Sequence, residues 1–279
     1  MEIVNDLISQ INFLTKKRMG DNLKIRKKYY YIINSDKKIL LGVPMTEEDQ
    51  IKLRNLKGGI IVSCQARKGD PLDKPEIMAA MAQSVEMEGV VGIRANGEAN
   101  IRAIRSVTSL PIIGINKIWL AGYSVYITPT LESAGTIVEA GADIVALDAT
   151  LRERPDGVSL SQLIDYIHGK LQKLVMADVS TFEEGLNAEK IGADLVATTL
   201  SGYTSYSRQS DKVDMELIRK LAANLKIPVI AEGKIVEPKE VKASFAAGAF
   251  AVVIGKAITR PQDIVKRFVE IGVFNKNED

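Results

Sequence analysis

Seven polar residues in this chain each close a short apolar run, and all seven fall on the same parity of their run. They are Gln65 in GGIIVSCQA, Arg94 in GVVGIRA, Lys117 in PIIGINK, Asp148 in ADIVALDA, Asp178 in KLVMADVS, Thr199 in ADLVATTL and Glu232 in IPVIAEG. Side chains alternate across a strand, so Lys117 shares a face with Ile115 and Ile113, Gln65 with Ser63 and Ile61, and Asp178 with Met176. An ammonium group at the end of a buried strand is either solvated or held in a pocket, where it can move a proton. Any one of the seven could be there because a strand end meets water. Both signs of charge arriving from different strands favour a small polar substrate.

These residues need a frame that brings strand ends together. From about residue 58, β-rich apolar runs alternate with amphipathic segments, and the seven runs above are followed by an eighth, AFAVVIG at 249–255. Helical patterns lie between them, as in EIMAAMAQSVEM (76–87), NIRAIRSV (100–107) and DMELIRKLAANL (214–225). Gly141, Gly192 and Gly248 each follow a helical run and precede a strand, as left-handed helix C-termini do. Eight such units predict a (β/α)8 TIM barrel over 58–279, whose reactive groups sit at the C-terminal strand ends. A doubly wound open sheet is the alternative, but no GxGxxG turn follows any strand.

Barrels of this kind often bind phosphate in the turns after strands 7 and 8. Here these turns read EGK and GKA, so Gly233 and Gly255 allow close backbone approach while Lys234 and Lys256 add positive charge. Arg208, in the polar loop SGYTSYSRQS, is a further candidate for the same anion. The glycines could also simply shape tight turns.

Residues 1–57 form an N-terminal extension of unassigned role. It carries an amphipathic helical pattern at 3–14 and a strand or ordered arm, KYYYII, at 28–33, with twelve Lys/Arg against seven Asp/Glu. The whole chain has a formal charge of +2, too balanced to point to nucleic acid or an anionic membrane as partner. No membrane-spanning run and no secretory signal are found, and the lone Cys64 leaves a reducing cytoplasm as the default. His168 is the only histidine and lies in a helical pattern away from the strand ends, which argues against a metal-dependent reaction.

Taken together, IVSCQA, GIRANG, VYITPT, ALDAT with RPDG, MADVSTFEEG, TTLSGYT, PVIAEG and AITRP resemble the N-acetylmannosamine-6-phosphate 2-epimerase family. The resemblance runs in order from about residue 56 to 273. It implies interconversion of N-acetylmannosamine 6-phosphate and N-acetylglucosamine 6-phosphate in sialic-acid and amino-sugar catabolism, with no cofactor and as a homodimer. It matches the family's lysine and glutamate to Lys117 and Glu232, and its substrate-holding residues to Gln65, Arg94 and Asp178. The family typically has an arginine after that lysine, where this chain has Ile118 and Trp119, and a small residue where this chain has Lys256. On this reading neutral Lys117 removes the C2 proton, and Glu232 assists ring opening, holds a hydroxyl or transfers the second proton. Gln65 and Arg94 stabilise the enolate, Asp178 holds a hydroxyl or orients Lys117, and Thr199 and Asp148 complete the polar mouth. A Schiff-base aldolase on Lys117, or a barrel that senses an amino-sugar phosphate without turnover, are the alternatives.

Overall fold

The computed structural model describes residues 27–34, 37–44 and 46–272, so the helical pattern at 3–14 lies outside the described residues. The chain divides into two compact units between Thr46 and Glu47. In the first, β1 (Lys27–Asn34) pairs antiparallel with β2 (Lys37–Pro44), with Asn34 opposite Lys37 and Lys27 opposite Pro44. KYYYII is therefore a strand.

The second unit begins with α1 (Glu47–Leu56), eleven residues earlier than the expected boundary at 57/58. Its charged sequence hides its attachment. Leu56 is fully buried and abuts Gly92, while Lys52 bridges Asp143 at 2.8 Å. Gly92 and Asp143 both lie at strand starts, so α1 covers the N-terminal end of the barrel.

The barrel strands are β3 (Ile60–Cys64), β4 (Gly92–Asn96), β5 (Ile112–Ile115), β6 (Ile144–Asp148), β7 (Leu174–Asp178), β8 (Leu195–Ala197), β9 (Val229–Glu232) and β10 (Ala251–Ile254). All eight pair in parallel and in sequence order, and β10 closes the ring on β3 with Val252 opposite Ile60. The helices between them are α2 (Pro75–Glu86), α3 (Glu98–Arg105), α4 (Leu131–Glu139), α5 (Leu160–Tyr166), α6 (Phe182–Lys190), α7 (Met215–Asn224) and α8 (Pro238–Ala246). After β10 come the short α9 (Lys256–Thr259) and α10 (Pro261–Gly272). Gly141, Gly192 and Gly248 adopt φ of 109°, 105° and 100°, as their positions after helical runs required.

Alternation sorts each strand into two layers. Val62, Cys64, Ile93, Ala95, Val145, Leu147, Val175 and Ala177 point outward and pack with Ile101, Ile137, Leu163 and Ala188 of the helices in one buried cluster. Ile61, Ile113, Ala146, Met176 and Ile230 alternate with them and are fully buried inside the ring. Burying a side chain of this size is worth about 1.5–3 kcal/mol, so a one-residue slip, which would exchange the layers, is strongly disfavoured. Close helix packing has its own requirement at Gly185, where a Cβ would come within 2.2 Å of Leu221 Cδ2.

The loops at the C-terminal face end in helix caps that fix their exits. Thr130, Ser159 and Thr181 each form a reciprocal capping box, and Asp214 accepts from Leu217 N–H. Glu184 of α6 does more than cap. Its carboxylate accepts from Ser180 N–H at 2.7 Å and from Tyr206 Oη at 2.6 Å, which ties the loop after β8 to the loop after β7.

Candidate active site

A cavity of about 350 Å³ opens at the C-terminal end of the ring. Its wall includes Gln65, Arg94, Lys117, Thr199 and Glu232, five of the seven polar residues picked out by parity. Arg94, only 1% exposed, is the hub. Its Nη1 donates to Asp178 Oδ1 at 3.1 Å and to Glu232 Oε2 at 2.9 Å, and its Nη2 donates to Asp178 Oδ2 at 2.6 Å. Thr199 Oγ1 lies 2.6 Å from Asp178 Oδ1 and 3.1 Å from Glu232 Oε2. Two carboxylates thus share one guanidinium and one hydroxyl. Asp178 is fully buried behind Arg94 and off the cavity wall, where it anchors the guanidinium.

Because one cation serves two acids, Arg94 compensates the buried charge of Glu232 only in part, and Glu232 holds its proton longer than an ordinary carboxyl. Burial, with the Asp178 charge beside it, raises Glu232 to about 7 against the pull of Arg94. Burial also lowers Lys117 to about 8, helped by the positive charges of Arg94 and Arg260. The amine and the carboxyl are both brought near neutrality, where each can give or take a proton.

Lys117 is fixed by a loop that folds back on its own strand. Its N–H donates to Asn96 Oδ1 at 2.9 Å, and it forms an isolated antiparallel bridge with Ile127. Ile118 N–H donates to Tyr126 O at 2.9 Å, and Thr128 N–H to Asn116 O at 2.8 Å. Thr128 sits at φ 45°, a left-handed backbone that costs a β-branched residue about 1–3 kcal/mol. Its buried hydroxyl offsets this by donating to Ala146 O at 2.6 Å and accepting from Asn116 N–H. Trp119 stacks on Tyr126 with ring centroids 5.4 Å apart, and Tyr126 forms part of the cavity wall. The Nζ of Lys117 donates to Gln65 Oε1 at 2.8 Å.

The end of the cavity beneath β9 and β10 is cationic. Gly233, Lys234, Gly255, Lys256 and Arg260 line it, and Arg67 joins them from the loop after β3. Six cationic side chains on the wall face one carboxylate, Glu232. Gly233 has φ 107° and Lys234 has φ 62°, so this turn presents backbone in a form other residues avoid. Lys234 Nζ donates to Ser201 O at 3.1 Å and lies over the Tyr203 ring.

Besides Asp178, expected to hold substrate but lying behind Arg94, two further expected residues are placed off the wall. Asp148 is fully buried off the wall, with its carboxylate on Arg152 at 2.7 Å and on the Thr150 hydroxyl at 2.6 Å, while Arg154 donates to its carbonyl. Parity is right for Asp148, but the loop of α5 claims it. Arg208 is 59% exposed, faces Asp214 and Glu216 at 3.7 and 4.0 Å, and does not line the cavity. His168 pairs with Asp194, just before β8, at the opposite end of the ring. Ser63, Arg67, Tyr126, Tyr203, Thr259 and Arg260 line the cavity without having been singled out. Arg67 continues the parity of residues 61, 63 and 65, and Arg260 stands in the AITRP motif. Tyr126 reaches the wall from a folded-back loop, which strand alternation cannot reveal.

Among the described residues no group of three His, Cys, Asp or Glu side chains is arranged to hold a metal ion. No described helix is long and apolar enough to cross a membrane.

Residues 78–272 match the family described as "Putative N-acetylmannosamine-6-phosphate epimerase". A similarly described 2-epimerase from Caldanaerobacter subterraneus subsp. tengcongensis is 51% identical over 218 residues, covering 78% of this chain and 92% of the relative. One from Clostridium perfringens is 49% identical over 216 residues, covering 77% and 97%. A solved structure of the N-acetylmannosamine-6-phosphate 2-epimerase from Clostridium perfringens superposes with a TM-score of 0.77 at 48% identity, covering 78% of this chain and 95% of that one. Thiamine phosphate pyrophosphorylase from Pyrococcus furiosus, 17% identical with a TM-score of 0.52, shares the fold alone. With the family's match spanning most of the barrel and close to half of the aligned residues identical, the chain belongs to the N-acetylmannosamine-6-phosphate epimerase family.

Proposed function

We propose that the barrel interconverts N-acetylmannosamine 6-phosphate and N-acetylglucosamine 6-phosphate by removing and returning the proton at C2. The two sugars differ only in configuration at that carbon. In the open-chain form C1 is an aldehyde, so the C2 hydrogen is α to a carbonyl and acidic enough for an amine to remove. The observation that carries the reading is a near-neutral amine and a near-neutral carboxyl, Lys117 and Glu232, in one cavity with a cationic end. The 6-phosphate lies against Gly233, Lys234, Gly255, Lys256 and Arg260, which leaves C1 and C2 toward β4 and β5.

Neutral Lys117 takes the C2 proton. The resulting enolate is stabilised by the positive charge of Arg94, held in place by Asp178 before the reaction begins. Glu232, raised to about 7, is the group of matching acidity for returning a proton to the other face or for opening the ring. Gln65 is placed to orient Lys117, since its carbonyl oxygen already accepts from the amine. Thr199 Oγ1, within hydrogen-bond distance of both carboxylates, helps hold Glu232 at the cavity wall. Every step is assigned to protein side chains, and the enzyme is expected to be cytoplasmic and to work as a homodimer, the latter checked by size-exclusion chromatography with light scattering.

The test is proton NMR of N-acetylmannosamine 6-phosphate in deuterium oxide. Conversion to the glucosamine epimer with deuterium at C2 supports epimerisation by proton transfer. Exchange without conversion assigns only the first transfer, and neither exchange nor conversion from folded protein rejects the reading.

A further inference from the structure

A chain of two hydrogen bonds runs from the Lys117 amine to Ser63, beside the anion-binding turn, and the reaction scheme uses only the first of them. Lys117 Nζ donates to Gln65 Oε1 at 2.8 Å, and Gln65 Nε2 donates to Ser63 Oγ at 2.6 Å. Ser63 and Gln65 are successive inward residues of β3 and its exit, and both line the cavity. The amide can serve the ammonium form of Lys117 only with its oxygen turned toward the amine. The flipped amide would set its NH2 against the ammonium group. What fixes the orientation is an acceptor on the far side of the amide, and Ser63 Oγ is that acceptor.

Accepting from Gln65 leaves the Ser63 hydroxyl proton for a different partner. A Cβ built on Gly255 would lie 3.5 Å from Ser63 Cβ and 3.8 Å from Ser63 Oγ, so the hydroxyl stands beside the turn after β10. The same turn is tied to β3 through the backbone, since Thr259 Oγ1 donates to Ser63 O at 2.9 Å. An anion seated at Gly255 can accept the Ser63 O–H, and the hydroxyl then keeps a lone pair for Gln65.

We propose that Ser63 is a positioning residue that links the phosphate turn to the proton-transferring amine by holding the Gln65 amide in register. The inference rests on the epimerase reading and deepens it. The phosphate of the substrate then contributes to turnover as well as to binding, because it helps set the geometry of the base. The other charged groups facing Lys117 are Arg94 from β4, Asp178 from β7, Glu232 from β9 and Arg260 after β10, and a change at Ser63 leaves all four in place.

The experiment compares wild type, Ser63→Ala, Ser63→Cys, Gln65→Ala and the Ser63→Ala/Gln65→Ala double variant on N-acetylmannosamine 6-phosphate. Its readouts are kcat, KM and the pH profile of kcat/KM. Losing the orientation of a hydrogen bond to a charged amine is expected to lower kcat about tenfold in Ser63→Ala. The ammonium form loses its acceptor, so the acid limb of the profile moves to lower pH. Ser63→Cys keeps a weak acceptor at the same place and falls between the two. If Ser63 acts through Gln65, the double variant is no slower than Gln65→Ala alone. A raised KM with kcat and acid limb unchanged would make Ser63 a phosphate contact only and overturn the inference. So would losses that multiply in the double variant. Wild-type protein without C2 exchange would overturn the epimerase reading itself, and the inference with it.

Discussion

Replacing Glu232 by glutamine should stabilise the fold at neutral and alkaline pH while removing most of the activity. Glutamine keeps the shape of the side chain and an oxygen that accepts from Arg94, but it never ionises. In the folded protein burial and Asp178 raise Glu232 from 4.5 to about 7. Below pH 4.5 the carboxyl is protonated in both the folded and unfolded chains, and wild type and variant differ little. Between 4.5 and about 7 the folded chain retains a proton that the unfolded chain has released, so wild-type stability falls as pH rises. Above about 7 the folded chain bears the full cost of an ionised, buried carboxylate. At about 1.4 kcal/mol per pH unit, that cost is on the order of 3 kcal/mol. Lys117 keeps most of its proton up to about pH 7 and gives it up near pH 8, so the comparison stops at about pH 7. Urea unfolding of both proteins at about pH 4 and about pH 7 measures the change, with groups remote from the site cancelling in the difference. The variant should gain on the order of 3 kcal/mol on wild type between the two conditions while kcat falls about 100-fold or more. An equal stability difference at both pH values would refute the shared-cation account of this acid pair.

Further tests separate the remaining roles. Wild-type kcat/KM should be bell-shaped with its maximum between about pH 7 and 8, since Lys117 must lose a proton while Glu232 keeps one, and Lys117→Ala should abolish C2 deuterium exchange while binding phosphosugar within about threefold of wild type. Wild-type-like exchange in that variant would reject Lys117 as the base. Lys234→Ala or Arg260→Ala should raise KM for the phosphosugar about tenfold. Arg208→Ala, a change at an exposed side chain off the cavity, should leave KM within about twofold. Gly185→Ala drives a Cβ into Leu221 at 2.2 Å and should cost about 1–3 kcal/mol in urea unfolding, with kcat unchanged.

Much of this architecture is legible along the chain because it depends on local periodicity. Period-two runs broken by period-3.6 segments give all eight strands, and inward parity leads to Gln65, Arg94, Lys117, Thr199 and Glu232 on the cavity wall. Parity says which face a residue occupies but not which neighbour claims it. Asp148 and Asp178 are paired opposite each other across β6 and β7, yet one is taken by Arg152 and the other by Arg94. Helix α1 was hidden for a similar reason, since one fully buried residue, Leu56, attaches a helix that otherwise carries mostly polar side chains.

The sequence by itself determined the order of elements and the side of each strand that faces inward, because each follows from spacing within a few residues, whereas closure of the ring rests on the pairing of β10 with β3. Tertiary structure alone decided the acidity of the site. Lys117 and Glu232 approach neutrality only because strands distant in sequence bury them around Arg94 and bring Asp178 to the same guanidinium. Desolvation and charge act through space over a few ångströms, and no pattern along the chain encodes those distances.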